Sequence, residues 1–289
     1  MTLTHKTISH TYADGCSSVL QVYSSQGANT TIYLLPAMAV WARFYTDLAK
    51  SIAELGVNVV VCDWRAHGSF QFKVGRKADF GYHQMVEDVK EIIDVGDQLF
   101  AGTRRVLMGH SLGGQVSALL IGRLNNHFDG LVMLASGSIY HKGWSGLDWL
   151  GVRFITYAFP VIANLVGYFP GKYVAFAGKE ARSVINDWGR CGRTGEFRLV
   201  GTDFDYDNGM KTATPPVLAI TVEGDVFATP NSSKQLIQKF SSKDVEMVHL
   251  ASKQENIDKS LDHFNWAKYP QTVLPHIEAW MIQRKLVVN

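Results

Sequence analysis

One stretch of sequence decides the fold of this chain: Val106-Leu107-Met108-Gly109-His110-Ser111-Leu112-Gly113-Gly114. It places Gly-x-Ser-x-Gly between a short apolar run that predicts a strand and a run, 112–124, that predicts a helix. A serine at so sharp a turn is forced to positive φ, and the flanking glycines let strand and helix pass closely. The alternative is a glycine-rich turn whose serine only caps the helix. Strand, helix and spacing together favour an exposed nucleophile, Ser111, whose developing negative charge the helix N-terminus stabilises.

Strands and helices alternate on both sides of this stretch. A hairpin is predicted first, with strands at 7–12 and 18–23 around Asp14-Gly15. The alternation predicts the α/β class, with a mostly parallel sheet and helices on both faces. Further strands are predicted at 30–35, 57–62, 105–108, 130–135, 217–222 and 245–250, and helices at 41–55, 82–100, 112–124, 230–240 and 271–286.

The alternation lapses between residues 136 and 206. This segment holds 14 aromatic residues in 71, against 33 in the whole chain of 289, and its helical pieces are expected to break at Pro160, Pro170 and Gly171. We therefore predict a core formed by 1–135 and 207–289 with a helical cap, 136–206, inserted into it. Part of the aromatic bulk should face a substrate pocket, although the same rings could simply pack the cap onto the sheet. The candidate substrate-binding residues are Trp144, Trp149, Tyr157 and Tyr168.

Composition excludes several classes of partner. With 28 Lys and Arg against 26 Asp and Glu, the net charge of +2 is far from the concentrated basicity of nucleic-acid-binding proteins. Three scattered cysteines form no disulfide framework, and no apolar stretch suits an export signal, so a cytoplasmic location is expected. The apolar stretch 154–169 is too short for a transmembrane segment. Weak contact of the cap rings with a membrane surface stays open, and the oligomeric state is not indicated.

A serine hydroxyl needs a base within hydrogen-bond reach and a carboxylate that orients the base. Folds with this serine turn place the acid after a late strand and the histidine before the last helix. Asp225 follows the strand predicted at 217–222, and His263 precedes the last helix, whereas His249 falls within a strand and His276 within a helix. The other acids that could replace Asp225 are Glu223, Asp258 and Asp262.

Acyl transfer also needs two N–H donors for the oxyanion. The backbone of Leu112 should supply the first. The second should come from the loop after the strand at 30–35, with Met38 the first choice and Ala37 the alternative.

No cofactor or metal is expected. The glycines around Ser111 lack the pattern of a phosphate-binding or dinucleotide loop. Asp63 with His67 and Asp79 with His83 are each four residues apart, but both pairs fall in predicted loops, where that spacing does not bring side chains together.

Several motifs occur over the whole length of the chain: Leu35-Pro36-Ala37-Met38, Arg43-Phe44-Tyr45, Asp63-Trp64-Arg65-Ala66-His67-Gly68, the stretch 109–114, Gly167-Tyr168-Phe169-Pro170-Gly171-Lys172 and His263-Phe264. With these motifs the chain resembles the α/β-hydrolase superfamily, and within it a bacterial group of predicted hydrolases of the serine aminopeptidase and lysophospholipase-like kind. Ala39 and Ala66 stand where similar proteins often have glycine.

The expected function is that of a serine hydrolase acting on small-molecule carboxylic esters with an apolar acyl or alcohol part, through an acyl-enzyme on Ser111. Thioester or amide cleavage, or acyl transfer, could use the same three side chains. A non-catalytic receptor for a small apolar ligand is the alternative from a different class.

Overall fold

The computed structural model describes residues 2–125, 127–174, 176–253 and 260–287. The strands within these residues are β1 (Leu3–Thr11), β2 (Ser17–Ser25), β3 (Thr30–Leu35), β4 (Asn58–Val61), β5 (Arg104–His110), β6 (Gly130–Leu134), β7 (Phe169–Pro170), β8 (Lys179–Glu180), β9 (Val217–Val222) and β10 (Val245–Leu250). The helices are α1 (Thr46–Ala53), α2 (Tyr82–Leu99), α3 (Leu112–Leu124), α4 (Gly146–Val166), α5 (Arg182–Thr194), α6 (Tyr206–Thr212), α7 (Pro230–Ile237) and α8 (Pro270–Gln283).

The main sheet of the described residues has the strand order β1-β2-β4-β3-β5-β6-β9-β10. The hairpin β1–β2 and the pair β2–β4 are antiparallel, and all other neighbouring strands run parallel. The central strands are buried on both faces because helices cover each side, which explains their continuous apolar sequences. The predicted mostly parallel α/β architecture is confirmed.

Alternate residues of each strand pack into two separate cores. On one face, Val106 of β5 packs in the core that holds Ile52 of α1 and Ile277 of α8. On the other face, Leu107 packs in the core that holds Val89 of α2 and residues of α3 and the helices between β6 and β9. Both faces of the sheet are thus covered, and β5 ends between the two cores at His110, on the carboxyl edge of the sheet.

The helix α4 runs unbroken through Pro160, so the break predicted there is wrong. Proline removes the N–H that would bond the carbonyl of Thr156, one turn earlier. The guanidinium of Arg193 on α5 donates to that carbonyl instead. A Cβ at Gly189 would lie 2.4 Å from Pro160 Cγ, so only glycine lets α5 approach this closely. The long-range hydrogen bond replaces the one that the local sequence removes.

Other boundaries differ from prediction by a few residues. The first predicted helix divides into a 3₁₀ turn, Ala42–Tyr45, and α1. The last helix begins at Pro270 and ends at Gln283. The division into core and cap stays a prediction; α6, at its far boundary, packs on α3, where a Cβ at Gly122 would lie 2.8 Å from the N atom of Met210.

Candidate active site

The serine turn at the end of β5 has the strained geometry that the sequence predicted. Ser111 has φ 54° and ψ −115°. A Cβ at Gly109 would lie 2.2 Å from the carbonyl carbon of Gly113, and a Cβ at Gly113 would lie 2.1 Å from the carbonyl oxygen of Leu35. Glycine is therefore required at both positions. The Ser111 side chain makes no helix-capping hydrogen bond, which removes the alternative of a merely capping serine.

The structure brings together the three side chains that the sequence singled out. Ser111 Oγ lies 2.9 Å from His263 Nε2, and His263 Nδ1 lies 2.8 Å from Asp225 Oδ2. Asp225 also accepts hydrogen bonds from the backbone N–H groups of Phe227 and Ala228, at 2.8 and 2.9 Å. Asp225 and His263 are 6% and 5% exposed, so their contact is shielded from water. A carboxylate held by two backbone donors fixes the orientation of the imidazole ring.

The competing acids have other partners. Glu223 accepts a hydrogen bond from the backbone of Ser252, and Asp262 accepts bonds from the backbone N–H groups of Phe264 and Asn265. Asp258 lies outside the described residues. Both described acids thus stabilise loops.

The competing histidines are also placed away from Ser111. His249 Nδ1 lies 3.0 Å from Thr221 Oγ1 on the neighbouring strand, and His276 lies within α8. His263 therefore remains the histidine that meets the serine.

The two backbone donors considered for the oxyanion differ in their bonding. The N–H of Ala37 donates to the hydroxyl of Tyr45 at 2.9 Å and is therefore occupied. Within the described parts of the chain, the N–H groups of Met38 and Leu112 have no protein acceptor, and both residues line the pocket that contains Ser111. Of the two alternatives left open by the sequence, this geometry favours Met38.

A buried bridge behind Ser111, formed by Tyr45 and His110, was not predicted. The Tyr45 hydroxyl lies 2.7 Å from His110 Nδ1, and His110 Nε2 lies 2.8 Å from the carbonyl oxygen of His263. Burial lowers the pKa of His110 well below its usual value, so the ring is neutral. Because a carbonyl only accepts, Nε2 carries the proton and Tyr45 donates to Nδ1. The Tyr45–His110 bridge thus connects the Ala37 backbone to the loop of His263.

Trp266 completes this support, since its Nε1 donates to the same His263 carbonyl at 2.9 Å. The sequence gives only indirect hints of the Tyr45–His110 bridge. Tyr45 is the last residue of the Arg43-Phe44-Tyr45 motif, and His110 lies inside the serine turn itself. Neither spacing nor composition shows that residues 65 positions apart share a hydrogen bond.

An apolar pocket opens over Ser111 and His263. Its polar residues away from these two, Tyr82 and Gln115, bond to each other at 3.1 Å, and Gln115 also donates to the Gly137 carbonyl. The polar groups of the wall therefore satisfy one another and leave an apolar surface for a ligand. The apolar wall includes Ile139, Trp144, Val152, Ile155, Phe176, Trp188, Val226, Phe227 and Phe264.

Of the four aromatic residues proposed to bind substrate, Trp144 lines the pocket and donates from Nε1 to the Val226 carbonyl at 2.9 Å. The other three do not line it. Trp149 packs beside His141, Tyr157 is half exposed, and Tyr168 lies beneath the Lys179 ammonium. The substrate-binding role of these three residues stays a prediction. Trp149 and Tyr157 lie on α4, which has apolar residues on both its inner and its outer face, so its sequence does not mark the inward face.

The pairs weighed as metal ligands have other partners. His67 lies 3.0 Å from Glu180 Oε1, and Asp63 accepts from the backbone of Ala42 and Ser69. No group of three or more His, Cys, Asp or Glu side chains in the described ranges is arranged to hold a metal ion. His67 and Glu180 instead join the loop after β4 to β8.

The second pair weighed as metal ligands, Asp79 and His83, also makes structural contacts. Asp79 accepts from the guanidinium of Arg182 and from Ser183, and His83 Nδ1 lies 2.9 Å from the Tyr206 hydroxyl. These contacts tie the segment before α2 to α5 and α6.

Comparison with known proteins agrees with this geometry. A family model described as serine aminopeptidase, S33, matches residues 26–170, which is half of the chain. A monoglyceride lipase of Homo sapiens is 30% identical over 91 residues, which are 32% of this chain and 29% of that protein. The chain thus matches less than a third of the length of this curated relative.

Two solved structures share the fold over nearly the whole chain. An esterase from Pyrococcus furiosus is 15% identical, with a TM-score of 0.63 over 97% of this chain and 91% of that one. A monoacylglycerol lipase from Paleococcus ferrophilus is 14% identical, with a TM-score of 0.60 over 97% of this chain and 100% of that one. At such identities the likeness concerns the fold, which is the α/β-hydrolase fold. The chain belongs to the serine aminopeptidase S33 family of α/β-hydrolases.

Proposed function

We propose that the protein is a serine hydrolase that cleaves carboxylic esters with an apolar acyl or alcohol part. The observation that carries the proposal is the 2.9 Å contact between Ser111 Oγ and His263 Nε2 at the base of an apolar pocket. A base at this distance can take the hydroxyl proton as the oxygen attacks, which is what a serine nucleophile requires at neutral pH.

In the first half-reaction Ser111 Oγ attacks the ester carbonyl carbon while His263 Nε2 takes the serine proton. The carbonyl oxygen becomes an oxyanion, which the N–H groups of Leu112 and Met38 bind. The carbon–alkoxy bond then breaks, and His263 returns the proton to the departing alcohol. Asp225 keeps the ring in the tautomer with Nδ1 protonated and stabilises the imidazolium that forms between the two steps.

In the second half-reaction water attacks the acyl-enzyme. His263 takes a proton from the water, the oxyanion forms again at the same donors, and the bond to Ser111 Oγ breaks. The proton passes from His263 to the serine oxygen, so the enzyme is regenerated and a carboxylic acid leaves. Each proton that His263 accepts is thus returned, and no cofactor is needed for the balance.

The pocket supports an apolar ester. Its wall combines Ile139, Val152 and Ile155 with the aromatic rings of Trp188 and Phe227, whereas a charged acyl group would find no partner there among the described residues. The similarity to a monoglyceride lipase and to esterase structures is consistent with such a substrate. Thioester or amide cleavage by the same residues would give a different preference among leaving groups.

The test is turnover of p-nitrophenyl esters from acetate to dodecanoate by the wild-type protein and by Ser111→Ala. We expect hydrolysis that rises with chain length until the pocket is filled, and a loss of about 10⁴-fold or more in the variant. Ser51→Ala on α1, away from the pocket, should leave turnover unchanged. Binding of the esters without turnover in the wild-type protein would favour the receptor alternative and refute the proposal. A fluorophosphonate should label the wild-type protein and not Ser111→Ala.

A further inference from the structure

The outer face of α4 exposes a continuous apolar stripe. Its members recur every three or four residues, as expected for one side of a helix, and each is at least 50% exposed. Single exposed apolar residues are ordinary, but a stripe along a whole helix marks a surface that contacts something apolar. The stripe consists of Leu147, Leu150, Phe154, Tyr157, Val161 and Leu165.

The inner face of the same helix is already fully used. Phe159, Pro160 and Ala163 are buried beneath it, and Val152 and Ile155 line the pocket over Ser111. The residues of the outer stripe belong to neither apolar core, and the described contacts of the stripe side chains are those of the Tyr157 ring with Arg153 and Arg193. The helix therefore joins the catalytic pocket on one side to an uncovered apolar surface on the other.

The charges around α4 are mainly positive. The helix itself carries one carboxylate, Asp148, and one guanidinium, Arg153, and further basic residues lie on the segments next to it in the chain or in contact with it or its flanking turn. The guanidinium of Arg193 lies 5.0 Å from the centre of the Tyr157 ring, and Arg76 packs against Gly167, where the helix ends. The positive charge of these basic side chains is complementary to anionic lipid headgroups. The basic residues are Arg76, Lys142, Arg153, Lys172, Lys179 and Arg193.

We propose that α4 docks the protein onto an anionic lipid bilayer, lying parallel to the surface with its outer stripe in the interface. Among the described residues, α4 is also the one helix whose length and composition would suffice to cross a membrane. Spanning would require it to leave α5, to which the Thr156–Arg193 hydrogen bond ties it. A helix that is apolar outside, rimmed by cations and fixed to the protein on its inner side suits the interface.

Docking would place the pocket beside the lipid bilayer, in which apolar esters dissolve. This link to catalysis rests on the proposed function, whereas the docking itself does not. Vesicle binding needs neither Ser111 nor His263, and turnover of a water-soluble ester needs no vesicle. The two proposals can therefore fail separately.

The test is co-sedimentation of the 289-residue chain with phosphatidylcholine vesicles, with and without phosphatidylglycerol. We expect binding to the anionic vesicles, weaker binding to the neutral ones, and release as salt screens the headgroup attraction. Phe154→Asp combined with Leu165→Asp should lower binding tenfold or more, because two exposed apolar anchors are replaced by like charges. Ile282→Asp, on α8 and 41% exposed, is the matched control and should bind as the wild-type protein does.

Three results would overturn the proposal: no binding to anionic vesicles, equal binding by the Phe154/Leu165 variant, or binding that persists after alkaline carbonate extraction, as for a spanning helix. A dimer in solution that the double substitution dissociates, without vesicle binding, would assign the stripe to self-association instead. Turnover of p-nitrophenyl acetate without vesicles is measured beside each variant. Preserved turnover with lost vesicle binding supports docking through α4, whereas lost turnover with preserved docking removes only the proposed esterase.

Discussion

Replacing Tyr45 by phenylalanine tests the Tyr45–His110 bridge directly. The substitution removes one oxygen atom from a fully buried ring and leaves the ring's packing in place. That oxygen accepts from the Ala37 N–H at 2.9 Å and donates to His110 Nδ1 at 2.7 Å. Without this oxygen, the Ala37 N–H loses its acceptor and His110 Nδ1 loses its donor. Both groups are buried, next to the Met38 N–H and the His263 loop.

The loss of stability follows from these two unsatisfied buried groups. An unsatisfied buried polar group costs about 1–3 kcal/mol, so the substitution should lower the free energy of unfolding by about 2–6 kcal/mol. The Ala37 N–H also becomes free to turn, which disturbs the adjacent Met38 donor. Loss of one oxyanion donor reduces turnover by about 10²–10³-fold, and a displaced donor should cost a part of that, about 10-fold. Because the transition state is affected more than ground-state binding, kcat should fall while KM changes little.

Urea unfolding, followed by tryptophan fluorescence, measures the free energy of unfolding. Ester hydrolysis measures kcat and KM. Tyr33→Phe is the matched control: this ring is equally buried, but its hydroxyl makes only long contacts, the nearest at 3.3 Å to the Ile93 carbonyl. It should lose about 1 kcal/mol or less and keep kcat. The reasoning is refuted if Tyr45→Phe is no less stable than Tyr33→Phe and hydrolyses the ester at the wild-type rate.

Three further predictions follow from contacts described above. Asp225→Asn should keep the fold but reduce kcat by about 10⁴-fold, since an amide cannot hold His263 in the working tautomer; an unchanged kcat in ester hydrolysis would assign the acid elsewhere. Ala66 has φ 70°, where an L-residue costs about 1–2 kcal/mol and glycine loses about 0.5–1 kcal/mol in backbone entropy, so Ala66→Gly should stabilise by up to about 1.5 kcal/mol in urea unfolding, whereas Ala53→Gly within α1 should destabilise. Burial alone would lower the pKa of His67, but the hydrogen bond and charge of Glu180 outweigh it and raise the pKa. The pair therefore stabilises the fold fully below the unfolded pKa of about 6.5 and ceases to do so as pH rises through the raised folded pKa; the difference in unfolding free energy between wild type and His67→Gln should be larger at acid than at alkaline pH, and a pH-independent difference would exclude the ion pair.

Local sequence pattern predicted the sheet and the three residues that meet at the serine turn, Ser111, Asp225 and His263. The turn at 109–114 combines steric constraints that few other structures satisfy, and the order Ser111, Asp225, His263 is the one found in folds that have this serine turn. The positive φ of Ala39 and Ala66 explains why similar proteins often have glycine there. Such constraints act within a few residues and can be recognised in sequence.

The rest depended on contacts between distant segments. Periodicity finds the face of a helix only where a polar side marks the outside, and α4 has apolar residues on both sides; Val152 and Ile155 therefore line the pocket in place of Trp149 and Tyr157. The effect of Pro160 was overestimated, because a guanidinium from another helix bonds the carbonyl that proline leaves without a donor.

The tie between α4 and α5 also constrains how the two helices can move. If α4 bent away alone, the Thr156 carbonyl would lose its donor and Pro160 would separate from Gly189 on α5. A motion that widens the pocket on this side would therefore carry both helices together, about the segments 135–145 and 195–205. The first segment begins at Ala135 and the second contains Gly195 and Gly201, and all three residues have positive φ. Substitutions in these segments should change how readily the pair of helices moves while leaving the Ser111–His263 contact in place.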